Sequence, residues 1–188
     1  KNLRVRDVPV FGMAIRACKD ILVTGNHVWT GSGNGSTNYN GKNQDGIHLT
    51  DCTDAVVENN FVRSCDDNIS LTTDDGILER VTVRGNVLHH YYLSSTSALL
   101  GGPYGTLGFN VRATVDFAGE NKYVSDVLIE GNLMTGGNGA VTLQHATGTN
   151  FGRNITIRGN KVFDKTELGV AGWRPTYTII SCHNTNLV

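Results

Sequence analysis

Asp45, Asp66 and Asp67 are the residues of this 188-residue chain whose type and spacing point most directly to chemistry. Asp45 opens the phrase Asp45-Gly46-Ile47-His48-Leu49, and Asp67 opens Asp67-Asn68-Ile69-Ser70-Leu71. The two aspartates hold equivalent places in two alternating apolar segments. If those segments are neighbouring parallel strands, their α-carbons stand about 4.8 Å apart. Asp66 precedes Asp67, so its side chain should diverge from that of Asp67 while sharing its surface. Three carboxylates this close suit glycoside hydrolysis. One carboxylic acid protonates the leaving oxygen, and one or two carboxylates activate a water or act as nucleophile. Crowded carboxylates cannot all ionise cheaply, so one keeps a proton to donate near neutral pH. Two other readings stay open: solvated turn aspartates, which is how Asp74-Asp75 reads, and an oxygen cluster for a hard cation such as Ca²⁺.

The elements that must position these residues come from a repeat. Asp20-Ile-Leu-Val-Thr-Gly-Asn26 returns as Asp54-Ala-Val-Val-Glu-Asn-Asn60 and Arg80-Val-Thr-Val-Arg-Gly-Asn86. It returns again as Asp126-Val-Leu-Ile-Glu-Gly-Asn132 and Asn154-Ile-Thr-Ile-Arg-Gly-Asn160. A second phrase lies upstream of each Asn: Phe11-Gly-Met-Ala-Ile, Asp45-Gly-Ile-His-Leu, Asp67-Asn-Ile-Ser-Leu, Leu107-Gly-Phe-Asn-Val, Asn138-Gly-Ala-Val-Thr-Leu and Leu168-Gly-Val-Ala. Each repeat thus has at least two strands alternating with period two, one face inward. Gly and Asn mark the bends, where a left-handed backbone is needed. The terminal Asn residues would stack, either as a ladder of side-chain amides or only as turn formers. A leucine-rich repeat lacks support, because its Leu-x-x-Leu-x-Leu-x-x-Asn spacing is absent and no repeat has room for a helix. The expected fold is an all-β, right-handed parallel β-helix of about six rungs in a single domain over 1–188.

The Asn-to-Asn intervals of 34, 26, 46 and 28 mean constant strands with variable loops. Long insertions fall at 30–43 and 89–106, with a shorter one at 116–123. The chain starts inside an apparent rung and neither end reads as a cap, so a fragment of a longer helix or a processed chain is expected. Open solenoid edges allow a monomer or a homotrimer. A net charge of −1 gives no field for nucleic acid, and no apolar run reaches the roughly 20 residues of a membrane span. Cys18 and Cys52 each lie eight residues before a terminal Asn and should stack, as two buried thiols or as a disulfide. No Cys/His spacing suggests zinc.

Other candidates surround the aspartates. Alternation turns His48 outward. His89 and His90 on the second insertion could reach the same groove. Tyr91, Tyr92 and Tyr104 could stack on the apolar faces of sugars or simply cover the flank of the coil. Trp29 could wall the groove, and Trp173 reads as end packing.

The stretch Asn43-Gln-Asp45-Gly-Ile followed by Cys65-Asp66-Asp67-Asn-Ile resembles the Asn-Thr-Asp and Asp-Asp-Cys-Ile signatures of the polygalacturonase family, glycoside hydrolase family 28, a pectin-lyase-like β-helix family. Leu3 to Val23 is similar to that family's strand pattern, and the strong similarity covers about residues 3 to 73. The resemblance implies a secreted enzyme that hydrolyses a polysaccharide with inversion and needs no metal or cofactor. It implies Asp66 as general acid, with Asp45 and Asp67 positioning and deprotonating the water. His89-His90-Tyr91-Tyr92 stands where the family carries Gly-His-Gly, without the glycines. Val111-Arg112-Ala113-Thr114 keeps the Arg of the family's Arg-Ile-Lys and replaces the Lys. The substrate-binding set is then His48, His89, His90, Tyr91, Tyr92 and Arg112, for a pectic, glucan or capsular polysaccharide. β-Helix hydrolases of neutral glucans and phage tailspikes are also similar, which adds a virion surface as a location. A lyase or uronate epimerase using Arg112 or Lys122, and a non-catalytic glycan-binding coil, are the alternatives.

Overall fold

A computed structural model describes residues 1–8, 10–30, 44–64, 66–90, 110–115, 122–135, 139–145, 153–163 and 178–183. The first sheet contains β1 (Arg4–Val8), β4 (His27–Thr30), β7 (Phe61–Ser64), β10 (Val87–His90), β13 (Leu133–Thr135) and β16 (Lys161–Phe163). The second contains β2 (Met13–Arg16), β5 (Ile47–Thr50), β8 (Ile69–Thr73), β11 (Val111–Val115), β14 (Gly139–His145) and β17 (Thr178–His183). The third contains β3 (Lys19–Thr24), β6 (Thr53–Glu58), β9 (Ile77–Arg84), β12 (Tyr123–Glu130) and β15 (Ile155–Arg158). Every pairing is parallel, and the chain runs from second sheet to third to first before stepping up one rung. This is a right-handed parallel β-helix, the hand that parallel crossovers adopt.

The core follows from alternation. Ile47, Ile69, Val111 and Val141 are in register down one inward row, and Leu49, Leu71, Ala113 and Leu143 down the next. Val28, Val62, Leu88 and Met134 close the first sheet, and Val23, Val57, Val83 and Ile129 the third. All are buried. A buried aliphatic side chain of this size contributes about 1.5–3 kcal/mol.

The repeat phrase now has a physical reading at both ends. Its first residue, Asp20, Asp54, Arg80, Asp126 or Asn154, lies in the left-handed region with φ from 53 to 58°. Asp and Asn tolerate that conformation well. Arg80 does so while its guanidinium pairs with Asp54. The position before the terminal Asn is also left-handed, with Gly25, Gly85, Gly131 and Gly159 there and Asn59 in place of the fifth glycine. The terminal asparagines themselves form the ladder. Asn26, Asn60, Asn86, Asn132 and Asn160 are linked amide to amide at 2.9–3.0 Å.

Several expectations are refined. Each turn has a third strand, β4, β7, β10, β13 or β16, which the two phrases left out. The phrase Leu107-Gly-Phe-Asn-Val was placed two residues out of register: Val111, not Phe109, pairs with Ile69. Leu168-Gly-Val-Ala and Trp173 lie outside the described residues, and β17 is the strand that stacks on β14. Thr30, His89 and His90 belong to strands rather than to the insertions. Cys18 and Cys52 do stack, with Thr53 N donating to Cys18 O at 3.0 Å, but both are free thiols and only Cys52 is buried. Burial pushes the Cys52 thiol up. Among the described residues no helix is long and apolar enough to cross a membrane.

Candidate active site

Asp45 and Asp67 sit in equivalent places just before β5 and β8, and Gly46 N donates to Asp67 O at 2.8 Å. Both side chains are buried, at 3 and 2% exposure, while Asp66 is half-buried. One carboxylate oxygen from each of Asp45, Asp66 and Asp67 lies within 4.8 Å of the other two. The short corner between β7 and β8 carries Asp66 and Asp67 on the surface they share with Asp45.

That corner is held by polar groups buried behind it. Asp66 N donates to Gln44 O at 3.4 Å, and Ser64 Oγ lies 2.7 Å from Asp66 O. Asn68 Oδ1 accepts Ser64 N at 3.0 Å, and Asn68 Nδ2 donates to Asn110 Oδ1 at 2.8 Å. Asn110 Nδ2 donates on to Gly139 O at 3.2 Å. This second, shorter amide chain fixes the turn that carries two of the three acids. Gly46 is required beside it, because a Cβ there would stand 2.1 Å from Val62 Cγ1 and 2.6 Å from Asn68 O. Gly46→Ala is expected to cost about 1–3 kcal/mol, as overpacking does. Its urea midpoint should fall accordingly, and an unchanged midpoint would show that the corner has slack.

His48 faces outward from β5 and binds Asp45 rather than standing apart from it. Its Nδ1 is 2.6 Å from Asp45 Oδ2, and its Nε2 is 3.0 Å from Thr72 Oγ1, which is itself 3.0 Å from Thr50 Oγ1. The imidazole thus bridges the Asp45 carboxylate and the Thr72 hydroxyl of the adjacent strand. Phe11 holds the ring from the side, with centroids 4.5 Å apart. Arg112 arrives on β11, in register with Ser70, and its Nη1 is 3.6 Å from Asp67 Oδ2. Asp45 thus has a nitrogen partner from its own strand, His48, and Asp67 one from the adjacent strand, Arg112. The trio of oxygens is close enough to share one hard cation, but that cation would compete with the imidazole and the guanidinium already there.

The remaining candidates divide. His89 is on the first sheet, in an outward row with Trp29, Arg63 and Thr135, and its Nδ1 is 2.5 Å from Thr135 Oγ1. Burial and the Arg63 charge hold the His89 imidazole below its usual range. Arg63 and Arg6 both stack on Trp29, at 4.6 and 5.6 Å from the ring centroid. His90 ends β10 and its side chain, like Tyr91, Tyr92 and Tyr104, lies outside the described residues. Lys122 bonds the Asp74 carbonyl, at the opposite end of β8 from Asp67. Sequence reading missed Thr50, Ser70, Thr72 and Thr142. Their signal was available, since they occupy the outward places next to His48 and Arg112 in the same phrase.

Neither the curated proteins nor the solved structures hold a match to this chain. The family model for glycosyl hydrolases family 28 matches residues 1–88, which include all three acids and His48 but stop short of His89 and Arg112. Over those residues the chain is similar to glycosyl hydrolases family 28, carried on a parallel β-helix of the pectin-lyase-like kind.

Proposed function

We propose that the protein is a glycoside hydrolase that cleaves a polysaccharide at the Asp45–Asp66–Asp67 cluster. The observation that carries this reading is the convergence of the three carboxylates from two adjacent rungs, inside the segment that matches the hydrolase family. Asp66, the least buried of the three, is placed to hand a proton to the glycosidic oxygen. Asp45, oriented by His48, and Asp67, beside Arg112, take the attacking water. A polysaccharide substrate suits a secreted or virion-surface protein.

Stereochemistry separates two forms of this reading. The resemblance implies inversion, for which acid and base stand about 6.5–9.5 Å apart, whereas retaining pairs stand about 5–5.5 Å apart. With Asp66 as the acid and Asp45 and Asp67 delivering the water directly, the proposed reaction is the inverting one. The anomer first released, read by proton NMR, decides between them. The hydrolase reading itself is tested by incubating the protein with pectic, glucan and capsular polysaccharides without added metal. New reducing ends without ultraviolet-absorbing unsaturated ends are expected. Unsaturated ends would instead establish a lyase, and no cleavage of any glycan would leave a binding coil.

A further inference from the structure

We infer that His48 serves the reaction without touching the sugar. It is a positioning residue that fixes the carboxylate of Asp45, and the Thr72–Thr50 hydroxyl pair and the Phe11 ring fix it in turn. This rests on the hydrolase reading, in which Asp45 is one of the two carboxylates that take the attacking water. It stands in place of the substrate-binding role expected of His48 from the resemblance.

The Asp45 carboxylate depends on His48. Its side chain is 5% exposed, and among the described residues its one hydrogen bond or ion pair is to His48 Nδ1, at 2.6 Å. Asp67 differs, since Arg112 reaches it from the next rung. A carboxylate shielded from water and bound by one group points where that group holds it, and removing the group leaves a buried charge without its hydrogen bond.

His48 is in turn held from several sides. Its Nε2 is 3.0 Å from Thr72 Oγ1 on β8, and Thr72 Oγ1 is 3.0 Å from Thr50 Oγ1 on β5. Both threonines are buried, so this hydroxyl pair is an internal support and not a contact surface. The Phe11 ring, from the rung below, lies 4.5 Å from the imidazole between centroids. Both ring nitrogens are thus engaged inside the protein, and neither is left for a sugar hydroxyl. The consequence is geometric. An attacking oxygen must reach the anomeric carbon along a narrow line, and misplacement by about 1 Å costs about 10²-fold in rate.

The test uses the two ends of the ring. His48→Asn puts an amide nitrogen near the place of Nδ1, where it still bonds Asp45. His48→Gln puts one near the place of Nε2, where it bonds Thr72 and leaves Asp45 alone. The thermal midpoint is measured for the full chain and both variants. Reducing-end release is measured as kcat and KM on whichever of the pectic, glucan and capsular polysaccharides the unmutated protein cleaves fastest. His48→Asn should keep kcat within about fivefold, and His48→Gln should lose about 30- to 100-fold, with KM within about twofold in both. A role confined to joining β5 to β8 gives the opposite order, with His48→Gln milder in kcat and thermal midpoint, and would overturn the inference. So would equal kcat in the two variants, or a KM raised about tenfold with kcat kept, which is the mark of a sugar ligand. If either variant does not fold, His48→Ala with added imidazole decides: recovered kcat is expected, and no recovery overturns the inference. Absence of cleavage by the unmutated protein would remove the hydrolase reading and this role with it. Cleavage with the variants ranked otherwise would remove the role of His48 alone.

Discussion

Asp66→Asn is expected to lower turnover of the polysaccharide by at least about a hundredfold and leave the fold intact. General acids contribute about 10²–10⁴-fold, and an amide of the same shape cannot give up a proton to the leaving oxygen. The fold should survive because the corner is held by main-chain atoms of Asp66, its N on Gln44 O and its O near Ser64 Oγ, and by the side chain of Asn68. Circular dichroism and the thermal midpoint should match the unmutated protein. A second readout separates loss of the acid from loss of binding. An aryl glycoside with a good leaving group needs no protonation, so the variant should lose far less turnover on it than on the natural polymer. Near-normal turnover of the polymer would remove Asp66 from the mechanism. Equal losses on both substrates would give Asp66 a different role, as the nucleophile or the base.

How far the sequence discloses this site depends on whether an insertion intervenes. Asp45 and Asp67 are 22 residues apart with only the regular β5–β8 turn between them, so equal phrases meant equal places in space. Between β8 and β11 lies the long 91–109 stretch, and there the phrase could slide. Leu107-Gly-Phe matched the pattern as well as Asn110-Val-Arg did, and a slip of two residues keeps the same face inward. What settled the register is the Asn68–Asn110 amide pair, which no alternation rule reveals. The start of the same insertion was drawn too early at His89, which belongs to β10, one rung on from Arg63, and bonds Thr135. The third strand of each turn stayed hidden for a simpler reason. His27–Thr30 and its equivalents follow the terminal Asn without a repeated residue of their own to mark them. His48 was legible as outward but not as the partner of Asp45, since a contact three residues apart across a strand start depends on rotamers.

The largest stability effect is expected at Asn86, in the middle of the terminal-Asn ladder. Its Oδ1 accepts from both Asn60 N and Asn60 Nδ2 at 3.0 Å, and its Nδ2 donates to Val57 O at 2.9 Å and Asn132 Oδ1 at 3.0 Å. Asn86 is 1% exposed, so water cannot replace any of these bonds. Asn86→Ala takes the Asn86 acceptor from the Asn60 main-chain N–H and from Asn60 Nδ2, which keeps Val23 O, and the Asn86 donor from the Val57 carbonyl and Asn132 Oδ1. At about 1–3 kcal/mol per buried group left unsatisfied, the cost is about 3–5 kcal/mol, a large share of the 5–15 kcal/mol typical of a folded domain. Asn160 is at the end of the ladder and partly exposed, with one amide neighbour below it, so Asn160→Ala should cost about 1–2 kcal/mol. The comparison also separates the ladder from mere turn formation. The left-handed residue at this bend is Gly85, with φ of 61°, not Asn86. Asn86→Asp therefore keeps any turn preference while losing both donors, and it should destabilise nearly as much as Asn86→Ala. Urea unfolding of the three variants makes the decision. An Asn86→Asp variant as stable as the unmutated protein would mean that the backbone, and not the amide ladder, holds successive rungs together at this corner.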